Sequence, residues 1–511
     1  MWRDELQAWM LARVSASPAA LFANLRYEGH PALWHLLLWP LAHMTARPEA
    51  MQALHFVVAG LGVAAWLAWA PFPLPLRGLF ALSYLPLFEY GVVSRNYALA
   101  LPLLWAVCRL WTQEPRSWVA LGVCLAVLAN TNPYAWLLAT AMLATLGYET
   151  WRARTRRSAP QPSQAIDEAP APPPVPAVPA RPRGGAALTH SAIGASAART
   201  GLGAATRPLL GAALAILGLG LALWQMVPPA DALYAENVTR WSLPRLYRVL
   251  GTVMTGYLPL PDWRTLTPWN SALLYRLPAP VLAGFAVAWL LVAWLLLDSR
   301  AARTLFALGT AALLAFSYLR YIGWARHHGH YFLLFIACCW LATARRDGEA
   351  DPRRPLRLAA LAGLLVVHVA TGAWFYTADA RRPFSDAKGA AARLAAAPLA
   401  GLPAVGYPDP PLPAVAAYRG VPLISLTSGR PLSFVQWRRD GEPKLSVQEV
   451  CARLTAQARR AAGTIAFVAP PATLPTACPS LTAQRIGSST RRPLVPGERL
   501  ETWRVSLRGD G

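Results

Sequence analysis

The chain has 511 residues, of which 55% are hydrophobic and only 14% charged, with a mean hydropathy of +0.32. Soluble domains carry about 25% charged residues, so much of this chain belongs in lipid; an ordinary cytosolic enzyme, a disordered protein and a secreted disulfide scaffold are excluded. The net charge of +23 has the look of a nucleic-acid signal, but 46 of the 48 basic residues are arginine, which with the Ala and Pro excess reads as coding bias, so the positions of the arginines matter more than their number.

The first fifty residues carry Asp4-Glu5 and then Arg26, Tyr27, Glu28, His30 and Pro31. The apolar stretch 31–45 holds His35, Pro40 and His43 and is too short to cross a bilayer, so it is expected to be a re-entrant or interfacial helix. Ten later runs are read as spans: 53–70, 77–93, 97–112, 117–132, 134–149, 208–227, 278–297, 303–320, 331–344 and 357–376. Between the fifth and sixth, residues 151–207 are rich in Arg, Pro and Ala and are predicted to be a disordered linker. Its arginines, with Arg77, Arg109, Arg116, Arg300, Arg303, Arg345, Arg346, Arg353, Arg354 and Arg357, put one set of loops in the cytoplasm. The same count puts 1–52, 91–96, the aromatic-rich loop 228–276, 321–330 and the C-terminal part outside. Asn237-Val238-Thr239 in that loop has the form of a glycosylation acceptor and is taken as chance.

The remainder, 379–511, is soluble in character. Ser385-Asp386 caps a helix through Leu394, strands are predicted at 404–407, 422–425, 464–468 and 500–506, and a helix at 446–460, which makes a small α/β domain. Cys108, Cys124, Cys338 and Cys339 fall in apolar runs and read as core residues; Cys451 and Cys478 would be free to pair in an extracytoplasmic domain.

Four polar clusters fall on the outer side: the N-terminal one; Glu89, Arg95, Asn96 and Tyr97; Arg320, Tyr321, Arg326, His327, His328, His330 and Tyr331; and Asp231, Glu236, Arg240, Arg245, Arg248, Asp262 and Arg264 in the long loop. Ionisable groups near membrane depth mark sites or pathways, although snorkelling to water is the bland account of each one singly.

Asp4-Glu5 followed by the Arg26–Trp34 segment RYEGHPALW resembles the first extracytoplasmic loop of GT-C glycosyltransferases, the bacterial members related to protein O-mannosyltransferases and to the lipid A aminoarabinose transferase. Ser94-Arg95-Asn96-Tyr97-Ala98-Leu99 is similar to their Arg-x-Tyr-Ala-Leu segment. The resemblance covers residues 1 to about 150 best. It implies a polytopic GT-C fold of about ten spans and an inverting enzyme of the inner membrane. That enzyme would move a sugar from a polyprenyl phosphate to a hydroxyl of an envelope glycolipid, polysaccharide or protein, with no nucleic-acid partner. Asp4 then matches the catalytic Asp, supported by Glu5 and His30. Arg95 is the first candidate and Arg326 the second for the donor phosphate, a task suited to the planar guanidinium fork; Tyr97, Glu89, His327 and His328 complete the substrate side. Glu5 is left as metal ligand, helper or neighbour. His327-His328-Gly329-His330 is not a closed zinc set and is read first as lining the polar cavity or contacting phosphate; the alternative is one divalent cation held by the run, with His330 as a ligand, and a nearby carboxylate. The family places a helix before the Asp-Glu pair, so either the true start is expected upstream or the gene is truncated. An O-antigen ligase or polymerase and a lipid-linked-sugar flippase are the competing readings, and neither needs Asp4.

Overall fold

A computed structural model describes residues 1–158, 200–233, 240–265, 268–344, 351–440, 444–473, 478–495 and 497–508. The chain is mostly helical and carries one small mixed sheet. Among the described residues five helices are long and apolar enough to cross a bilayer: Glu49–Trp69, Thr206–Met226, Ala279–Leu296, Arg300–Leu319 and Arg354–Arg381. This is the architecture of a helical membrane protein, with fewer qualifying spans than the ten runs read from hydropathy.

The shortfall has local causes. The run 77–93 is broken: a helix at Leu74–Ala81 stops, and Leu85–Glu89, with Pro86 inside it, winds as a π-turn. Ala100–Thr112 and Trp118–Ala129 have 13 and 12 residues, about 20 Å and 18 Å at 1.5 Å per residue. Pro133–Ser158 is longer but ends in Arg152, Arg154 and Arg156, and Ala325–Thr343 begins with Arg326, His327, His328 and His330. That last helix is buried from Arg326 to Ala342, so it is wrapped by protein instead of lipid.

The interfacial expectation for 31–45 meets a 12-residue helix, Leu33–Met44, with Pro40 inside it. Two expectations need correction. The linker begins later and ends sooner than read, because the helices flanking it run to Ser158 and start at Thr200; its middle, 159–199, lies outside the described residues, as do Glu236, the 237–239 triplet, Arg345 and Arg346. The loop 228–276 contains a 15-residue helix, Leu243–Tyr257. Gly256 sets its approach to the central helix, since a Cβ there would stand 2.3 Å from the His328 carbonyl oxygen.

The C-terminal sheet has the strands β1 (Ala404–Gly406), β2 (Leu423–Ser425), β3 (Pro431–Leu432), β4 (Thr464–Ala469), β5 (Leu481–Ser488) and β6 (Glu501–Leu507), in the order β3-β2-β1-β4-β6-β5. β1 runs parallel to β2 and β4, and the other pairs are antiparallel. Hydropathy finds β1, β2, β4 and β6; it misses β3, two residues long, and β5, whose middle is exposed. Ser446 and Glu449 cap the Val447–Arg460 helix reciprocally. From that helix Cys451 forms a disulfide with Cys478, their Cα atoms 5.5 Å apart.

Candidate functional site

The helix Arg3–Val14 opens with Asp4 and Glu5, where the helix dipole favours carboxylates. Trp2 anchors this end, its ring edge-on to Trp269 at 4.8 Å and to Phe384 at 6.1 Å. Glu5 is buried, and both of its oxygens are committed: Oε2 accepts from the Trp2 N–H at 2.8 Å and Oε1 from the Ser94 N–H at 2.7 Å. The catalytic and metal readings of Glu5 are thereby corrected. It is a tie between the N-terminal turn and the 90–96 segment, and it lies outside the cavity wall.

That tie delivers Arg95 to Asp4. Arg95 Nη1 donates to the Asp4 carbonyl at 2.6 Å and stands 3.7 Å from Asp4 Oδ2. From the other side, 322 residues along the chain, Arg326 Nη2 reaches the same Oδ2 at 3.3 Å. The Arg326 guanidinium lies to one side of the edge-on Trp2–Trp269 pair, 5.7 Å from each ring centroid. Among the described residues its Nε and Nη1 are buried without a hydrogen-bond acceptor in range. An ionised group with orphan donors is costly unless something else accepts them; both arginines reach Asp4, and among the described residues Arg326 keeps two further donors without an acceptor.

These residues line a cavity of about 930 Å³ with Glu28, His30, Tyr97, His327 and Trp324. His327 Nδ1 accepts from the Trp324 N–H at 2.8 Å, so Nε2 carries the ring proton and donates to the Tyr97 oxygen at 2.7 Å. Burial first, then Arg95, pushes His30 well below its ordinary value and keeps it neutral. Burial raises Glu28 to about 7, against the opposing hydrogen bond from Gln7 and the charge of Arg95. Sequence reading noted Glu28 in the motif but gave it no role; its adjacency to Asp4 in one wall is visible only after folding.

Three further expectations fail. Glu89 is not on the cavity wall: its Oε2 accepts from Tyr84 at 2.6 Å and from Trp269 Nε1 at 3.1 Å. His328 points away, bonded to Thr255 Oγ1 at 2.9 Å and the Ile322 carbonyl at 3.1 Å, because successive helix residues diverge by about 100°. His330 is buried against Tyr90 and the His327 carbonyl. Among the described residues, no three of His, Cys, Asp and Glu gather as a metal site, so the Glu5 and His330 ligand reading has no third partner.

The C-terminal part contributes Pro410, Trp437 and Val495 to the same wall. Glu498 stands 3.6 Å from Arg3 and accepts from Ser385 Oγ at 2.7 Å; burial lifts it to about 7. No family model, curated protein or solved structure matches this chain.

Proposed function

We propose that the chain is an inverting, polyprenyl-phosphate-dependent glycosyltransferase acting on the outer face of a bacterial inner membrane, with its C-terminal part extracytoplasmic. The observation that carries the reading is Asp4 held 3.3 Å from Arg326 and 3.7 Å from Arg95 in one large cavity, with two Arg326 donors left without an acceptor among the described residues. A hydroxyl oxygen of the acceptor attacks the anomeric carbon, the bond from that carbon to the phosphate oxygen breaks, and the electron pair leaves on the polyprenyl phosphate. The acceptor proton passes to Asp4. A positioned base contributes about 10²–10⁴-fold. Arg326, helped by Arg95 and the Tyr97 hydroxyl, neutralises the charge growing on the departing phosphate. The arginine pair also holds the carboxylate ready, and one base suffices for single-step inversion.

One observation favours a second assignment within this reading. Glu28 lines the same cavity, and burial poises it near 7, in the range where a general base works best at neutral pH. Asp4 would then orient the two arginines.

The test is complementation of a deletion strain with wild type, Asp4→Asn and Glu28→Gln, read by mass spectrometry of the envelope glycolipids and by protein level. Loss of a hexose or pentose increment in the deletion, restored by wild type and not by Asp4→Asn at equal protein level, is expected. Full restoration by Asp4→Asn would sink the Asp4 base and favour the ligase or flippase reading. Loss in Glu28→Gln alone transfers the role to Glu28.

A further inference from the structure

The two oxygens of Asp4 have different surroundings. Oδ2 faces Arg326 at 3.3 Å and Arg95 at 3.7 Å. Oδ1 faces Arg3, whose Nε stands 3.6 Å away. The same Nε stands 3.6 Å from Glu498 Oε1. Among the described residues, Arg3 Nε and Glu498 Oε1 are both buried without a hydrogen-bond partner. One N–H is thus equidistant from two carboxylates and committed to neither.

Glu498 reaches this point from the far end of the chain. Its segment pairs with 383–386, just beyond the last span: the Leu494 N–H donates to the Pro383 carbonyl at 2.9 Å, and the Asp386 N–H to the Glu498 carbonyl at 3.0 Å. Both segments lie against the N-terminal turn, Phe384 beside Trp2, and Val495 in the cavity wall with Arg3 and Asp4. Ser385 Oγ holds Glu498 Oε2 at 2.7 Å, so that Oε1 is the oxygen left for Arg3. The Glu498 side chain is completely buried. A buried carboxylate facing a cation without a formed hydrogen bond does not recover its desolvation cost, so the arrangement is poor as a structural brace alone.

The charged groups that face Glu498 are Arg3, Asp4 and the Met1 amine, all from the N-terminal turn, with the Ser385 hydroxyl from 383–386. Burial outweighs them and lifts Glu498 to about 7, so it changes charge near neutral pH.

We infer that Glu498 is a positioning residue for the Asp4 base, acting through Arg3, and that Oδ1 is the oxygen that takes the acceptor proton. The inference rests on the transfer reading above. With Glu498 ionised, the Arg3 N–H turns to Glu498, and Oδ1 is left to accept the proton of the attacking hydroxyl. With Glu498 protonated, Asp4 is the anion that remains to Arg3, and a hydrogen bond to Oδ1 opposes that proton's arrival. The C-terminal part of the chain thereby governs the base on the first helix.

The experiment gives the purified full chain, in detergent, membranes of the deletion strain, which supply donor and acceptor together. Glycolipid product per mole of enzyme is read by mass spectrometry at about pH 6 and about pH 8. Glu498→Gln should match wild type at the lower pH and fall roughly ten-fold behind it at the higher, about the worth of one charge-assisted hydrogen bond. Adding Arg3→Gln to Glu498→Gln should recover that loss, which a merely structural defect would not allow. Parity with wild type at both pH values, an equal deficit at both, or a double variant no better than Glu498→Gln overturns the inference. Should Glu498→Gln not fold, Arg3→Gln alone decides: it should raise the ratio of transfer at the lower pH to that at the higher, and an unchanged ratio overturns the inference. Asp4→Asn separates this from the reading beneath it. Wild-type transfer by Asp4→Asn sinks the Asp4 base and the inference with it; an inactive Asp4→Asn beside a Glu498→Gln that matches wild type leaves the base standing and removes only the role of Glu498.

Discussion

The side-chain amide of Gln7 pairs with the backbone of Val435 in both directions: Nε2 donates to the Val435 carbonyl at 2.7 Å and Oε1 accepts from its N–H at 3.0 Å. The second Nε2 hydrogen goes to Glu28 Oε1 at 2.8 Å. One buried amide thus joins the C-terminal part of the chain, 428 residues away, to a carboxylate in the cavity wall.

Gln7→Ala should therefore cost more than one surface hydrogen bond. It strips partners from the Val435 N–H, the Val435 carbonyl and Glu28 together. Each buried orphan costs about 1–3 kcal/mol. A clear fall in the thermal midpoint of the purified chain is expected, and an unchanged midpoint would show that the contact is idle.

Glu28 and Glu498 are both raised to about 7 by burial. Between the ordinary glutamate value and about 7, the unfolded chain has lost these protons and the folded chain still holds them. Stability contributed by the pair is therefore complete at low pH and falls as pH rises through that window. Glu28→Gln and Glu498→Gln should each flatten this fall between pH 5 and pH 8 in thermal-shift measurements. Identical slopes in wild type and both variants would contradict the burial of these groups.

Arg326→Lys should not rescue function. A lysine lacks the planar fork that reaches Asp4 from beside the Trp2–Trp269 pair. A roughly 10²–10³-fold loss of transfer is expected for it, as for removal of a preorganised donor. Near-wild-type transfer would show that a point charge alone is enough.

Gly256→Val should separate the Leu243–Tyr257 helix from the central helix, because the Cβ position is blocked by the rigid His328 carbonyl. Overpacking costs typically about 1–3 kcal/mol, so a lower thermal midpoint with a weaker monodisperse peak on size exclusion is expected. Gly284, which has open space around it, is the control and should accept alanine without such a loss.

Cys451 and Cys478 should resist thiol labelling in the denatured, unreduced protein, leaving Cys108, Cys124, Cys338 and Cys339 reactive. Reduction should lower stability by about 2–4 kcal/mol. Six reactive thiols in protein isolated from its native membrane would argue against an oxidising compartment for this part of the chain.

The candidate site was legible in part. Asp4, His30, Arg95, Tyr97, Arg326 and His327, chosen from the motif and from polar clusters at the ends of apolar runs, line one cavity. Glu5 was misread because its neighbour Asp4 carries the motif, and sequence does not say that the Ser94 N–H needs an acceptor. Glu89 and His328 were misread because a polar residue near a span end carries no sign of which neighbour it turns toward. The helix Leu243–Tyr257 was missed because Arg245, Arg248 and two glycines interrupt its apolar face.

The sequence by itself determined the solvent: with 55% hydrophobic and 14% charged residues, much of the chain cannot be hydrated in a folded state. It also determined the short helix within 31–45 and four of the six strands, because these rest on local length and alternation. Only the tertiary structure decided that Arg95 and Arg326 meet at one carboxylate, and which of two adjacent histidines lines the cavity that Asp4 lines. Those outcomes depend on contacts spanning 89, 322 and 428 residues, and no local pattern encodes the direction of a side chain across such distances.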